Sequence, residues 1–150
     1  MKKLVVYDSL YGNTEKIALN IAKLLKCKAI KVSELNNFDI KQIDLLIIGS
    51  PTHAGSSTQN IKNFMNRYDD LSHLKFGCFS TGVIKEDKNV FFKTLISILG
   101  YASKKMSKTM KNKGAKEILK PIDFFVRDKE GPLIKESINS SEKWIQNIIK

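Results

Sequence analysis

Residues 7–18 read YDSLYGNTEKIA and carry the chain from an apolar run into a helical one. The few positions between the two hold Ser9, Tyr11, Gly12, Asn13 and Thr14, with no lysine among them. One or two such residues suffice to cap a helix and to make the turn before it. Five is more than a corner needs, so the others have something to hold.

The flanking sequence says what kind of corner this is. Upstream, residues 2–7 are an apolar run of strand length; downstream, Ile17, Ile21, Leu24 and Leu25 recur at helical spacing as far as Cys27. Residues 29–32 make a short second strand, and the run at 43–48, apolar except for Asp44, reads as a central strand covered on both faces. Ile61, Phe64, Met65 and Tyr68 mark a second helix, and residues 76–79 another buried strand. A long helical region follows at 89–113, with Gly100 placed to break it. Residues 118–126 contain a fifth strand, opened by Pro121. A last amphipathic helix is built on Ile134, Ile138, Trp144, Ile145, Ile148 and Ile149. Strands alternating with helices, with no repeat or linker, predict a single α/β domain over residues 1–150. Its sheet is parallel, five-stranded and doubly wound, with helices on both faces. Such sheets bind ligands beyond the carboxyl ends of their strands, here residues 8–14, 50–57, 80–87 and 127–133. The site is expected on that edge.

Composition narrows the class. A chain of 150 residues can bury one real core. Lys2 and Lys3 precede only four apolar residues before Asp8, too short for a secretory core, and the apolar run at 90–102 is short for a bilayer and contains Lys93 and Gly100. A cytoplasmic protein with reduced, buried thiols at Cys27 and Cys78 is the expectation. Two histidines, His53 and His73, give no metal-ligand spacing, and no Ser/His/Asp set or carboxylate pair points to acid–base or nucleophilic chemistry. The formal charge is +11, concentrated at residues 104–120, with seven lysines and one acid. Arg67 and Arg127 are the only arginines, so specific nucleic-acid recognition is poorly supplied. The basic surface is either a solvated face or a docking surface.

The first helix turn presents N–H groups without helical partners, and the macrodipole adds positive potential there. Hydroxyls and an amide at 9–14, with Gly12 allowing close approach, make a phosphate cradle that needs no lysine. Neither GxxxxGK[ST] nor GxGxxG is present, which argues against nucleotide hydrolysis and the usual dinucleotide site. A phosphate held by neutral donors is kept, as on a cofactor, rather than transferred.

SLYGNT at 9–14 resembles the phosphate loop of flavodoxins, [ST]-x-[ST]-G-N-T, with Tyr11 in the third place. GSPTHAG at 49–55 resembles the family's flavin-lining segment, and FFVRDKEGPL at 124–133 the end of its short-chain members. The resemblance implies strand order 2-1-3-4-5 with flavin mononucleotide (FMN) at the switch point. It places Ser9, Leu10, Tyr11, Gly12, Asn13 and Thr14 around the phosphate. Pro51, Thr52, His53, Ala54 and Gly55 then line the ribityl chain and ring, with Ser80, Thr81, Gly82 and Val83 on the other side. The family's inner aromatic falls at His53, and the outer loop at 80–88 has no Tyr or Trp. Within that loop Lys85 and Lys88 flank Glu86 and Asp87, so charge near the ring nearly cancels. The implied function is an FMN-binding electron carrier with no acid–base catalyst. Its partner is a redox protein with an acidic docking face, met by a monomer. An FMN-dependent quinone or small-molecule oxidoreductase is the alternative, and a cofactor-free docking module ranks third.

Overall fold

The computed structural model of the protein describes residues 1–36, 38–84 and 89–149, without the side chains of Phe92, Leu95, Ile96 and Asn147. The charged quartet Lys85, Glu86, Asp87 and Lys88 lies outside the described residues. The strands are β1 (Lys3–Tyr7), β2 (Lys28–Lys31), β3 (Leu45–Pro51), β4 (Lys75–Val83) and β5 (Lys116–Val126). The helices are α1 (Asn13–Leu25), α2 (Gln59–Asn66), α3 (Val90–Leu99), α4 (Ala102–Asn112) and α5 (Glu136–Ile149). All strand pairs are parallel, in the order β2-β1-β3-β4-β5. After β2 the chain crosses back over β1 to form β3, so the strand order reverses between β1 and β3.

The sheet carries a core on each face. Ile61 and Phe64 of α2, with Met106 and Met110 of α4, pack on Leu4, Val6, Leu46 and Ile48. On the opposite face Ile17 and Ile21 of α1, with Ile145 of α5, pack on Val5, Tyr7, Leu45 and Ile47. Alternate residues of β1 and β3 thus feed opposite cores, as covered central strands require. The helical region at 89–113 is broken where the sequence placed the break, with Gly100 at φ +69° between α3 and α4.

Two expectations need correction. The first helix ends at Leu25 rather than Cys27, closed by Lys26 at φ +52°, whose amide and that of Cys27 reach back to Ala22. Pro121 does not open β5 but lies inside it. It is tolerated because β5 is an edge strand and its pairing slips locally, Gly77 opposing Leu119 and Phe79 opposing Ile122.

Candidate functional site

At the end of β1 the chain enters α1 through Gly12, whose φ of +85° is a left-handed conformation that glycine adopts without Cβ strain. Ser9 Oγ accepts the amide protons of Gly12 at 3.1 Å and Glu15 at 3.4 Å, fixing the loop's curvature. The amides of Asn13 and Thr14 belong to the same first turn, whose N–H groups have no partner within the helix. Thr14 Oγ1 lies 2.7 Å from Thr81 Oγ1. One bond between two hydroxyls uses one of their two protons and leaves the other for an outside acceptor. Asn13 Nδ2 likewise donates one of its two protons to Glu130 O at 3.1 Å. The first-turn acid is engaged elsewhere: Glu15 accepts from Tyr7 at 2.7 Å. Burial first, and that hydrogen bond second, raise the Tyr7 pKa, so the phenol stays protonated and donating.

Beneath the loop sits Asp8, buried, with Oδ1 accepting from the Ser9 amide at 2.9 Å. Its Oδ2 accepts from Thr58 Oγ1 at 2.7 Å and Asn60 Nδ2 at 3.3 Å. Thr58 also caps α2 by accepting from Ile61. The Asp8 carboxyl group therefore ties the loop after β1 to the start of α2, with both of its oxygens accepting hydrogen bonds, as a buried polar group requires.

The loop after β3 turns back at His53, which exchanges backbone bonds with Ser56 at 2.8 and 2.9 Å. Its two central residues, Ala54 at φ +45° and Gly55 at φ +72°, are both left-handed, as a primed two-residue turn requires. Alanine there is strained. Gly55 is held tightly as well, because a Cβ on it would lie 2.6 Å from Leu99. Thr52 locks this loop to its neighbours: its amide donates to Thr81 O at 2.8 Å and its hydroxyl accepts from the Ala102 amide at 3.1 Å.

These loops enclose a cleft of about 470 Å³ over the carboxyl ends of β1, β3 and β4. Ser9, Leu10, Tyr11, Asn13 and Thr14 line it at one end, and Pro51, Thr52, His53, Ala54 and Gly55 along one side. Thr81, Gly82 and Val83 form the floor opposite. Two expected residues stand apart from the lining. Gly12 turns the loop, and Ser80 is buried, donating to Asp123 at 2.6 Å and accepting from Thr52 at 3.3 Å.

The expected cofactor contacts do not include Asp8, which lies beneath the loop, or Asn89, Leu99, Gly100, Tyr101, Val126, Asp128 and Lys129, which also line the cleft. Tyr101 matters most. Its ring packs so closely on Gly82 that a Cβ there would lie 2.6 Å from it, and its hydroxyl donates to Val83 O at 3.0 Å. Phe125 meets it edge-on at 5.5 Å between ring centroids. An aromatic ring thus lines the cleft from beyond α3, although residues 80–88 contain no Tyr or Trp. The loop at 127–133 had been placed on this edge, and Asp128 and Lys129 are its contribution.

A model of the flavodoxin domain matches residues 4–133. The chain belongs to the flavodoxin family. Flavodoxins generally bind FMN. An uncharacterized protein of Methanocaldococcus jannaschii is 31% identical over 96 residues, 63% of each chain, so the match spans less than two thirds of that relative's length. A flavodoxin of Streptococcus pneumoniae superposes with a TM-score of 0.70 at 17% identity, covering 96% of this chain and 94% of its own. Rubredoxin oxygen:oxidoreductase of Desulfovibrio gigas gives 0.74 at 16% identity, covering 99% of this chain but only 35% of that one. At these identities the two structures show a shared flavodoxin fold. Among the described residues no helix is long and apolar enough to cross a membrane, and no group of His, Cys, Asp or Glu is placed to hold a metal. Cys78 is buried, with its pKa raised by burial, whereas Cys27 is only half-buried.

Proposed function

We propose that this flavodoxin binds FMN in the cleft and works as a cytoplasmic, single-domain electron carrier. The observation that carries the reading is the loop at 9–14. It offers a helix start, a Thr14–Thr81 pair with one proton to spare, and an Asn13 amide with another, but no cation. That donor set matches a phosphate that is bound and never transferred. The cleft, about 470 Å³, falls within the size range of cofactor sites. Ser9, Asn13 and Thr14 would hold the phosphate, with Leu10, Tyr11 and Gly12 forming the bend. Pro51, Thr52, His53, Ala54 and Gly55, with Thr81, Gly82 and Val83, would line the ribityl chain and ring, with Ser80 buried behind them.

When bound, FMN supplies one- and two-electron redox chemistry. The chain's residues bind and orient it. His53, exposed at the turn, offers a ring face and an N–H to the flavin edge, and Tyr101 braces the β4 side. Leu10 and Tyr11, 56% and 43% exposed, leave an apolar rim at the cleft mouth. No residue is required to act as an acid or base. A redox partner would dock at that open mouth with a surface that complements the protein's positive charge, with association slowing as ionic strength rises.

The test is direct. Purified protein, or apoprotein given FMN, turns yellow and bleaches with dithionite, and riboflavin binds far more weakly because it lacks the phosphate. A colourless protein that takes up neither flavin refutes the reading.

A further inference from the structure

We infer that α3 and the start of α4 form a docking face for an anionic membrane surface, with the cleft mouth beside it. α3 (Val90–Leu99) leaves Val90, Phe91 and Ile98 exposed by 80%, 77% and 75%. At 100° per residue these three fall within one arc of the helix, together with Thr94. Thr94 Oγ1 donates to Val90 O and Ser97 Oγ to Lys93 O, both at 2.9 Å, so the hydroxyls on this side serve the helix's own carbonyls. The exposed arc is apolar in effect as well as in name, and it projects from a convex helix rather than lining a groove.

Charge says what covers it. Residues 89–116 contain seven lysines and no acid or arginine. Lys104, Lys105, Lys108 and Lys111 of α4 are all exposed. Lysine is a hydrated point charge that meets a diffuse anionic surface without needing paired geometry, whereas arginine serves bidentate recognition. An apolar helix face followed in the chain by a run of exposed lysines resembles the pattern of a helix lying in the headgroup layer. Both halves adjoin the cleft. Leu99 and Tyr101 line it, Ile98 is next to the first, and Lys104 is three residues beyond the second. Docking of this face therefore brings the cleft mouth to the lipid surface. Its use in electron transfer rests on the function proposed above; the binding itself does not.

The experiment is flotation of the full chain, with and without FMN, on phosphatidylcholine vesicles and on the same vesicles containing phosphatidylglycerol. Binding is expected only with the anionic lipid, whether or not flavin is present. Each lysine near such a surface contributes about fivefold in partitioning. Lys104→Glu with Lys105→Glu should therefore weaken binding by at least about tenfold, and raising salt from about 0.1 to about 0.5 M should do likewise. Phe91→Asp with Ile98→Asp should weaken it as much, with thermal stability and FMN affinity unchanged. The inference falls if the anionic vesicles are not bound, if neutral vesicles bind equally, or if the Phe91 and Ile98 changes have no effect. Binding to polyglutamate without binding to vesicles also overturns it, and assigns the face to an acidic protein. FMN affinity is read separately in each case, so loss of membrane binding and failure of the flavin reading are distinguished.

Discussion

The two ends of the cleft are held in different ways. At the phosphate end, residues 9–14 are continuous in sequence and are fixed by short-range bonds, Ser9 to Gly12 and Glu15, above the buried Asp8. At the ring end the wall is assembled from three distant pieces: the turn at 53–56, the tip of β4, and Leu99 with Tyr101. Contiguous donors on a helix start are pre-oriented before any ligand arrives, so on the function proposed above that end would supply affinity. The other end depends on distant pieces joined by packing and by the long-range bonds of Thr52 and Tyr101, so on the function proposed above it would set the shape around the ring. Substitutions along the cleft test this division.

The largest effect is expected from Thr14→Ala and Asn13→Ala. Each removes a donor to a phosphate dianion, worth about 1.5–3 kcal/mol for charge-assisted bonds, so FMN affinity should drop about ten- to a hundredfold. Titration with riboflavin should show almost no change between wild type and variants. Equal losses for both flavins would place the phosphate elsewhere and erase the distinction between the two ends.

Gly82→Ala attacks the ring end through packing. A new Cβ 2.6 Å from the Tyr101 ring forces that ring outward. Overpacking of this kind costs about 1–3 kcal/mol of stability. Chemical denaturation should show the loss, and the flavin spectrum should shift as the wall moves. Tyr101→Ala in the same chain should recover much of that stability; additive losses in the double variant would show that the two residues do not meet.

His53→Ala is expected to weaken FMN by about 0.5–1.5 kcal/mol, the scale of one aromatic contact, with Tyr at the same position restoring it. Riboflavin should lose as much as FMN, the opposite of the Thr14 result. Unchanged affinity for both flavins would reduce His53 to a turn residue.

Ala54→Gly should have the smallest effect. It relieves the left-handed strain at φ +45°, offset by the greater chain entropy of glycine, for a net gain of about 0.5 kcal/mol. Calorimetry should register a rise of roughly 1–2 °C. A fall in melting temperature would mean that the turn tolerates alanine without strain.

The element order, the parallel sheet and the run of donors at the start of α1 were legible in the sequence, because each is written in neighbouring residues. Apolar spacing records which face of a helix or strand is buried, and a helix start carries its own donors in consecutive positions. Tertiary structure alone decided the rest. Tyr101 reaches Val83 across eighteen residues, Asp8 reaches Thr58 across fifty, and Pro121 finds a place inside β5 because that strand lies at the sheet edge and its pairing with β4 slips there. None of these is a local preference. Each depends on which distant backbone the fold brings alongside, and that partner is fixed by how the sheet and its two helical layers pack.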